Sequence, residues 1–480
     1  MVEKRRYLSL ADNGFLITET EDSPKHIAGL LIFEKPKDAD PDVVENLYKK
    51  WVTVDTVYPP YNLKLNASNP LTPYWTEDED FKASNHLEFF TMPEGSTREA
   101  LYKKVSDLHE PLTDQSIPLW RCYLIDGIGK DRFALYFRIH HCMMDGISGG
   151  KITEQSLATN VKDLDRPPFW AMEDNLYNRK SSRAKPKLLG RLINAATTNA
   201  KTAYGLSRIS TQLCLEAVGL TTNAISLPFT SSKSALTGPV NNQRAFTTAS
   251  LPMARVNHLQ KIARNTLNHI ALTCLDGALH RYLEHIGRPL EEPLTITMPV
   301  SLRREDAKVG GNQIGLVATK LAPQTDDPII RLREIGVSLQ NIRNQIDTSP
   351  ASSIQAFSLV TNGVSQLVES ASASQFVPPL SHTIVSNVPG PKKTLYVEGA
   401  RLLEWYPVST LGPGHRLNVT MFSYDGQLHF GLIAASAYLP DLNVLGDYIY
   451  DAFEELEAVV QSPDMGASLL AEKRKPKAVA

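Results

Sequence analysis

The chain has 480 residues, 42% apolar and 21% charged, which excludes a disordered or fibrous protein and, by length, predicts two domains rather than one core. Its start, Met-Val-Glu-Lys-Arg-Arg-Tyr-Leu, has no apolar stretch of signal-peptide length, and the longest apolar-rich run, 430–439, is about half a membrane span, so a cytoplasmic protein not integral to a membrane is expected. The net charge is −2, and four cysteines, Cys122, Cys142, Cys214 and Cys274, show neither metal-ligand pairing nor disulfide density.

In chain order, 26–33 reads as a mostly buried strand and 41–57 as a helix with apolar residues at Val43, Val44, Leu47 and Trp51. A strand near 85–92 and a helix over 97–108 follow. Beyond Pro118-Leu119-Trp120, two alternating runs flank the polar turn 126–131 and predict a β-hairpin. Its second strand, 132–140, puts Phe133, Leu135, Phe137 and Ile139 on one face and Ala134, Tyr136, Arg138 and His140 on the other. A helix is predicted from Ile147 onward.

From 163 to 242 the pattern degrades into Pro-, Ser- and Lys-containing sequence broken by one helical stretch, 188–204, the expected crossover between domains. Between Asn175 and Leu275 thirteen Lys or Arg stand against one acid, Glu216. Such a bias suits cofactor phosphates or an anionic lipid surface, unless it is a solvated linker face. Nucleic acid is not an expected partner, because no binding motif accompanies the charge.

The second half resumes with a strand near 245–251, helices over 253–264 and 266–285, a strand over 294–300, a helix over 327–346 and a strand over 383–387. A hairpin, 416–424 with 428–436, turns at Asp425-Gly426. The expected fold class is α/β, with two architecturally alike domains, each a mixed sheet flanked by helices. The domains are drawn at 1–165 and 244–465, with a basic crossover at 166–243 and a basic tail at 466–480.

The most informative stretch is His140-His141-Cys142-Met143-Met144-Asp145-Gly146. Adjacent strand residues point to opposite faces, so the two imidazoles cannot both face one ligand: one is reactive and the other structural, and periodicity does not choose between them. A neutral imidazole takes and returns a proton near pH 7, which a hydroxyl acceptor needs and a thioester donor does not. Asp145 is placed to organise the loop or cap the next helix, and Gly146 to admit close backbone approach.

His-His-x-x-x-Asp-Gly is the signature of the coenzyme A-dependent acyltransferase superfamily, which includes condensation domains. With Pro118-Leu119-Trp120, Leu124-Ile125-Asp126-Gly127, Pro299-Val300-Ser301-Leu302-Arg303, Gly311-Asn312-Gln313-Ile314-Gly315 and Ser386-Asn387-Val388-Pro389-Gly390-Pro391 in that order, the chain resembles the bacterial wax ester synthase/diacylglycerol acyltransferase family along nearly its whole length. The resemblance implies a two-domain enzyme that esterifies a fatty alcohol or a diacylglycerol at an interdomain tunnel. Acyl-CoA is then a cosubstrate, no cofactor is bound, and no covalent acyl-enzyme forms. The enzyme is expected to meet its substrates peripherally, at a membrane or lipid-droplet surface, with the basic stretch 179–208 as docking element.

The same resemblance implies His141 as general base, His140 as structural, and Asp145 paired across the interface with Arg303, Arg304 being the adjacent rival. Asn268 is expected to steady the oxyanion or position the acceptor. Asn387 is expected to line the tunnel, or else to be only a turn residue. His269 stands where the family usually has Asp, which puts that carboxylate's role in doubt.

Five other readings compete. Two satisfied core histidines are the commonest fate of a His-His pair, and the ordered blocks argue against it. A two-His, one-carboxylate metal site is opposed by the divergence of strand neighbours. An acyl-enzyme on Cys142 is opposed by that position's variability in the family, and a non-catalytic lipid carrier by the intact motif. A condensation-type enzyme needs a carrier domain, for which the chain has no room.

Overall fold

The computed structural model describes residues 6–69, 72–173, 229–301, 314–371, 373 and 376–462. The crossover helix expected at 188–204, the docking stretch 179–208, Arg303, Arg304, Gly311 to Gln313 and the basic tail lie outside the described residues. The first half runs β1 (Arg6–Tyr7), α1 (Leu10–Ile17), β2 (His26–Glu34), α2 (Val43–Val52), β3 (Leu63–Asn66), β4 (Tyr74–Glu77), β5 (Leu87–Thr91), α3 (Arg98–His109), β6 (Trp120–Ile128), β7 (Arg132–His140) and α4 (Gly146–Ser156). The second half runs β8 (Arg244–Pro252), α5 (Met253–Ala263), α6 (Leu267–His285), β9 (Thr295–Ser301), β10 (Ile314–Lys320), α7 (Pro328–Thr348), α8 (Ala351–Ser370) and β11 (Thr383–Val388). It ends with β12 (Tyr396–Val397), β13 (Ala400–Val408), β14 (Leu417–Tyr424), β15 (Gln427–Ala435) and α9 (Asn443–Val460).

Helix α2 stops at Val52, short of 57, where the β-branched run Val52-Thr53-Val54 favours extended backbone. Two six-stranded mixed sheets form, ordered β12-β13-β2-β7-β6-β5 and β10-β9-β11-β14-β15-β8. Four strands of each repeat one pattern: β2-β7-β6-β5 and β8-β15-β14-β11 are both antiparallel, antiparallel, then parallel. The halves are therefore alike in topology, as expected.

Strands β12 and β13 come from the second half of the chain yet extend the first half's sheet, β13 pairing antiparallel with β2. The apolar edge of β2 would otherwise stay open for pairing with another chain. Residues 396–408 thus lie in the sheet of β2.

The alternation along β7 sorts into two cores. Phe133, Leu135, Phe137 and Ile139 join Val44, Leu47 and Trp51 of α2. Ala134 and Tyr136 join Leu30, Ile32, Tyr406 and Val408 and meet Phe246 and Ile433 of the other sheet. Each such buried apolar side chain contributes about 1.5–3 kcal/mol, so the two sheets are held face to face by this layer. The approach is closest at Gly431 in β15: a Cβ there would lie 1.7 Å from the Pro407 carbonyl oxygen of β13.

Candidate active site

The pairing that builds β7 delivers the histidines. His26 of β2 is the register partner of His140, and the His141 backbone N–H extends that ladder by donating to the Lys25 carbonyl at 2.8 Å. His140 N–H donates to the Leu119 carbonyl at 2.9 Å, and Met143 N–H closes a turn on the His140 carbonyl. The Pro118-Leu119-Trp120 block is thereby a brace for the loop; its indole packs on His86 and donates to the Tyr61 carbonyl.

The two rings have different partners. His140 is buried, its Nδ1 accepts the Cys142 N–H at 3.1 Å, and its Nε2 lies 3.3 Å from Glu19 Oε1. A ring nitrogen that accepts carries no proton, so the His140 proton sits on Nε2, facing the carboxylate. Burial pushes the Glu19 carboxyl up, but the facing His140 ring, with the Lys25 N–H and ammonium, brings it below its ordinary value.

His141 is half-buried and stacks on Phe15 of α1, with ring centroids 4.1 Å apart and planes 10° from parallel. Burial lowers its pKa below 6.5, opposed by a hydrogen bond between the ring and its own backbone and by the charge of Asp145, with Asp12 also opposing. Burial thus favours the neutral imidazole.

Asp145 is the N-cap of α4, its Oδ1 accepting the Ser148 N–H at 2.7 Å. Gly146 is exposed, and a Cβ there would meet no described atom within 4 Å beyond its chain neighbours and the backbone of its own helix. Burial raises the Cys142 thiol pKa well above its ordinary value, and Cys142 packs with Leu63, Trp75 and Leu119, a setting that keeps it protonated and un-nucleophilic. Among the described residues no group of three or more His, Cys, Asp or Glu is placed to hold a metal ion.

Asn268 and Asn387, 119 positions apart, meet: Asn387 Nδ2 donates to Asn268 Oδ1 at 2.7 Å. That bond turns the Asn268 amide so that its own N–H groups point away from Asn387. His269 takes up a capping role, its Nδ1 accepting the Thr266 N–H at 3.1 Å while the ring also bonds the Gly336 backbone. This is the acceptor a carboxylate supplies in a capping box. No hydrogen bond or ion pair links the Asn pair to His141 among the described residues. The two motifs are tied instead through Phe422 of β14: a Cβ on Gly390 would lie 2.4 Å from its ring, and one on Gly150 of α4 3.5 Å from it.

Phe15, Glu19 and Lys25 escaped the sequence reading. Their signal was the Ser9-Leu10-Ala11-Asp12 pattern, which caps α1: Asp12 N–H donates to Ser9 Oγ at 3.1 Å. Lys25 is buried and its Nζ lies 3.9 Å from Glu369 of α8, joining the segment that pairs with His141 to the second half. A cavity of about 570 Å³ lies between the halves, with Arg98, Tyr102, Thr248, Ser250, Tyr406 and His429 among its walls, and another of about 210 Å³ lies beside Glu369 and Leu380. Neither includes His141, Asn268 or Asn387.

Residues 8–271 match the family model of the wax ester synthase/diacylglycerol acyltransferase catalytic domain, and residues 310–457 match the WS/DGAT C-terminal domain. The chain belongs to the wax ester synthase/diacylglycerol acyltransferase family. The O-acyltransferase WSD of Acinetobacter baylyi is 30% identical over 449 residues, covering 93% of this chain and 96% of that one. A wax ester synthase/diacylglycerol acyltransferase from Marinobacter aquaeolei VT8 shares the fold with a TM-score of 0.73 at 23% identity, over 95% of this chain and 100% of that one. A starter condensation domain of rhizomide synthetase, solved with C8-CoA and Leu-SNAC, superposes with a TM-score of 0.56 at 15% identity, over 95% of each chain. This member of the family is an O-acyltransferase. No helix among its described residues is long and apolar enough to cross a membrane.

Proposed function

We propose that this enzyme transfers a long acyl chain from acyl-CoA to a fatty alcohol, and also to a diacylglycerol, at a lipid surface, with His141 as the general base. The observation that carries the reading is the His141 ring, stacked on Phe15 of α1 and biased by burial toward its neutral form. His141 Nε2 takes the hydroxyl proton as the oxygen attacks the thioester carbonyl. The new C–O bond forms, and the tetrahedral oxyanion collapses with cleavage of the C–S bond. The proton then passes from Nε2 to the leaving thiolate, giving ester and free CoA with no acyl-enzyme. The Asn268 amide, oriented by Asn387, is a donor suited to the oxyanion or to the acceptor. His140 and Asp145 hold the loop, and Arg303 is the proposed partner of Asp145.

The families and names of the relatives support both acceptors and acyl-CoA as donor. The poor water solubility of a fatty alcohol or a diacylglycerol supports the reading that the enzyme works at a membrane or lipid-droplet surface. The test is release of thiol from palmitoyl-CoA by purified protein, with hexadecanol or a diacylglycerol, for the unaltered chain, His141→Ala and His140→Ala. Acceptor-dependent release lost in His141→Ala by about 10²–10⁴-fold is expected. Equal activity in His141→Ala removes the base; no release with either acceptor refutes the substrates.

A further inference from the structure

Helix α8 has twenty residues and one charged side chain, Glu369, which faces Lys25. Its inner side is used: Ile354, Ser358 and Thr361 are buried, and Ser358 bonds the Leu316 N–H of β10. On its outer side Val360, Val364 and Leu367 form a stripe at helical spacing, and all three are exposed; Leu367 is 71% exposed, and Phe376 just beyond the helix 76%. A helix face turned to water ordinarily carries charge; this one carries none.

The stripe adjoins the catalytic loop. A Cβ on Gly14 of α1 would lie 3.7 Å from the Gln366 amide, so α1 runs beside α8 at the level of Leu367. Phe15, the next residue, stacks on His141, and Ile17 of the same helix is exposed.

We propose that the outer face of α8, with Phe376 and Ile17, seats the enzyme on a phospholipid surface in which the acceptor is dissolved. The proposal rests on the reading above that the acceptor is a lipid. A face without ions enters the acyl boundary without stripping water from charge. Its continuity with the helix that covers His141 puts the lipid phase next to the base, which a second protein seated there would block. Attachment of this kind is hydrophobic and does not weaken with salt, unlike docking through a basic segment.

The test is flotation of the full chain with phosphatidylcholine vesicles containing hexadecanol, at low and high salt. The unaltered protein is compared with Leu367→Glu/Phe376→Glu and with Val360→Glu, all with matching thermal midpoints. Thiol release with a short water-soluble alcohol is measured in parallel. The expected result is binding that persists in high salt, falls about tenfold or more in the double variant, and leaves release with the soluble alcohol unchanged. Unaltered vesicle binding in both variants overturns the proposal, as does release of the unaltered protein by salt. A gel-filtration dimer that the variants split, with vesicle binding intact, also overturns it and assigns the face to a second copy. If no alcohol supports thiol release while vesicle binding tracks the face, the functional reading fails and the docking surface stands.

Discussion

Glu19 makes the argument for the loop quantitative. Its carboxylate, almost wholly buried, accepts the Lys25 N–H at 2.9 Å and faces the His140 Nε2–H at 3.3 Å. Glu19→Ala leaves the Lys25 N–H without its acceptor and takes the carboxylate from beside His140 Nε2, so a loss of about 1–3 kcal/mol is expected. Glu19→Gln keeps an acceptor oxygen and loses only the charge-assisted part, about half the strength of such a bond. Because His140 Nδ1 holds the Cys142 N–H, freeing the ring also loosens the turn next to His141. A displacement near 1 Å costs on the order of 10²-fold in kcat.

The assay is urea denaturation together with kcat for both variants. Since the folded carboxyl lies below its ordinary 4.5, its stabilisation is present above that value and is lost as pH falls through the lower folded one. The gap between the unaltered protein and Glu19→Gln should hold from pH 5 to 8 and narrow below 4.5. A Glu19→Ala protein within about 0.5 kcal/mol of the unaltered one refutes the reasoning, and so does Glu19→Gln behaving like Glu19→Ala.

Three further outcomes follow. With burial lowering the His141 pKa, the proposed base is largely neutral at pH 7; kcat should be flat there and fall on the acid side with a midpoint below 6.5, and a midpoint above 6.5 contradicts that role in this setting. Gly431→Ala drives a methyl into the Pro407 carbonyl and should destabilise by at least about 1–3 kcal/mol, read as a lower thermal midpoint. His269→Ala removes the acceptor for the Thr266 N–H and should cost about 0.5–2 kcal/mol; His269→Asp should restore most of it, and two indistinguishable thermal midpoints would remove the capping role.

Much of this protein is local chemistry and was readable as such. The alternation of 132–140 places β7 and its two faces, Asp425-Gly426 turns the last hairpin with both residues at positive φ, and the ordered motif blocks carry the family. Asp145 at an N-cap is a one-residue statement that needs no tertiary partner. What the sequence left open were facts about distant chain segments meeting. Periodicity put His140 and His141 on different sides; only the packing of α1 and the Glu19 carboxylate separates them into a held ring and one stacked on Phe15. The Asn268–Asn387 bond spans 119 positions, and β13 completes a sheet begun at β2 more than 360 residues earlier. Side-chain pattern reports which face is apolar, because burial acts on each residue where it stands. It does not report which strand pairs with which, because backbone hydrogen bonds are the same for every residue and the choice among them is made by how the whole chain closes its edges.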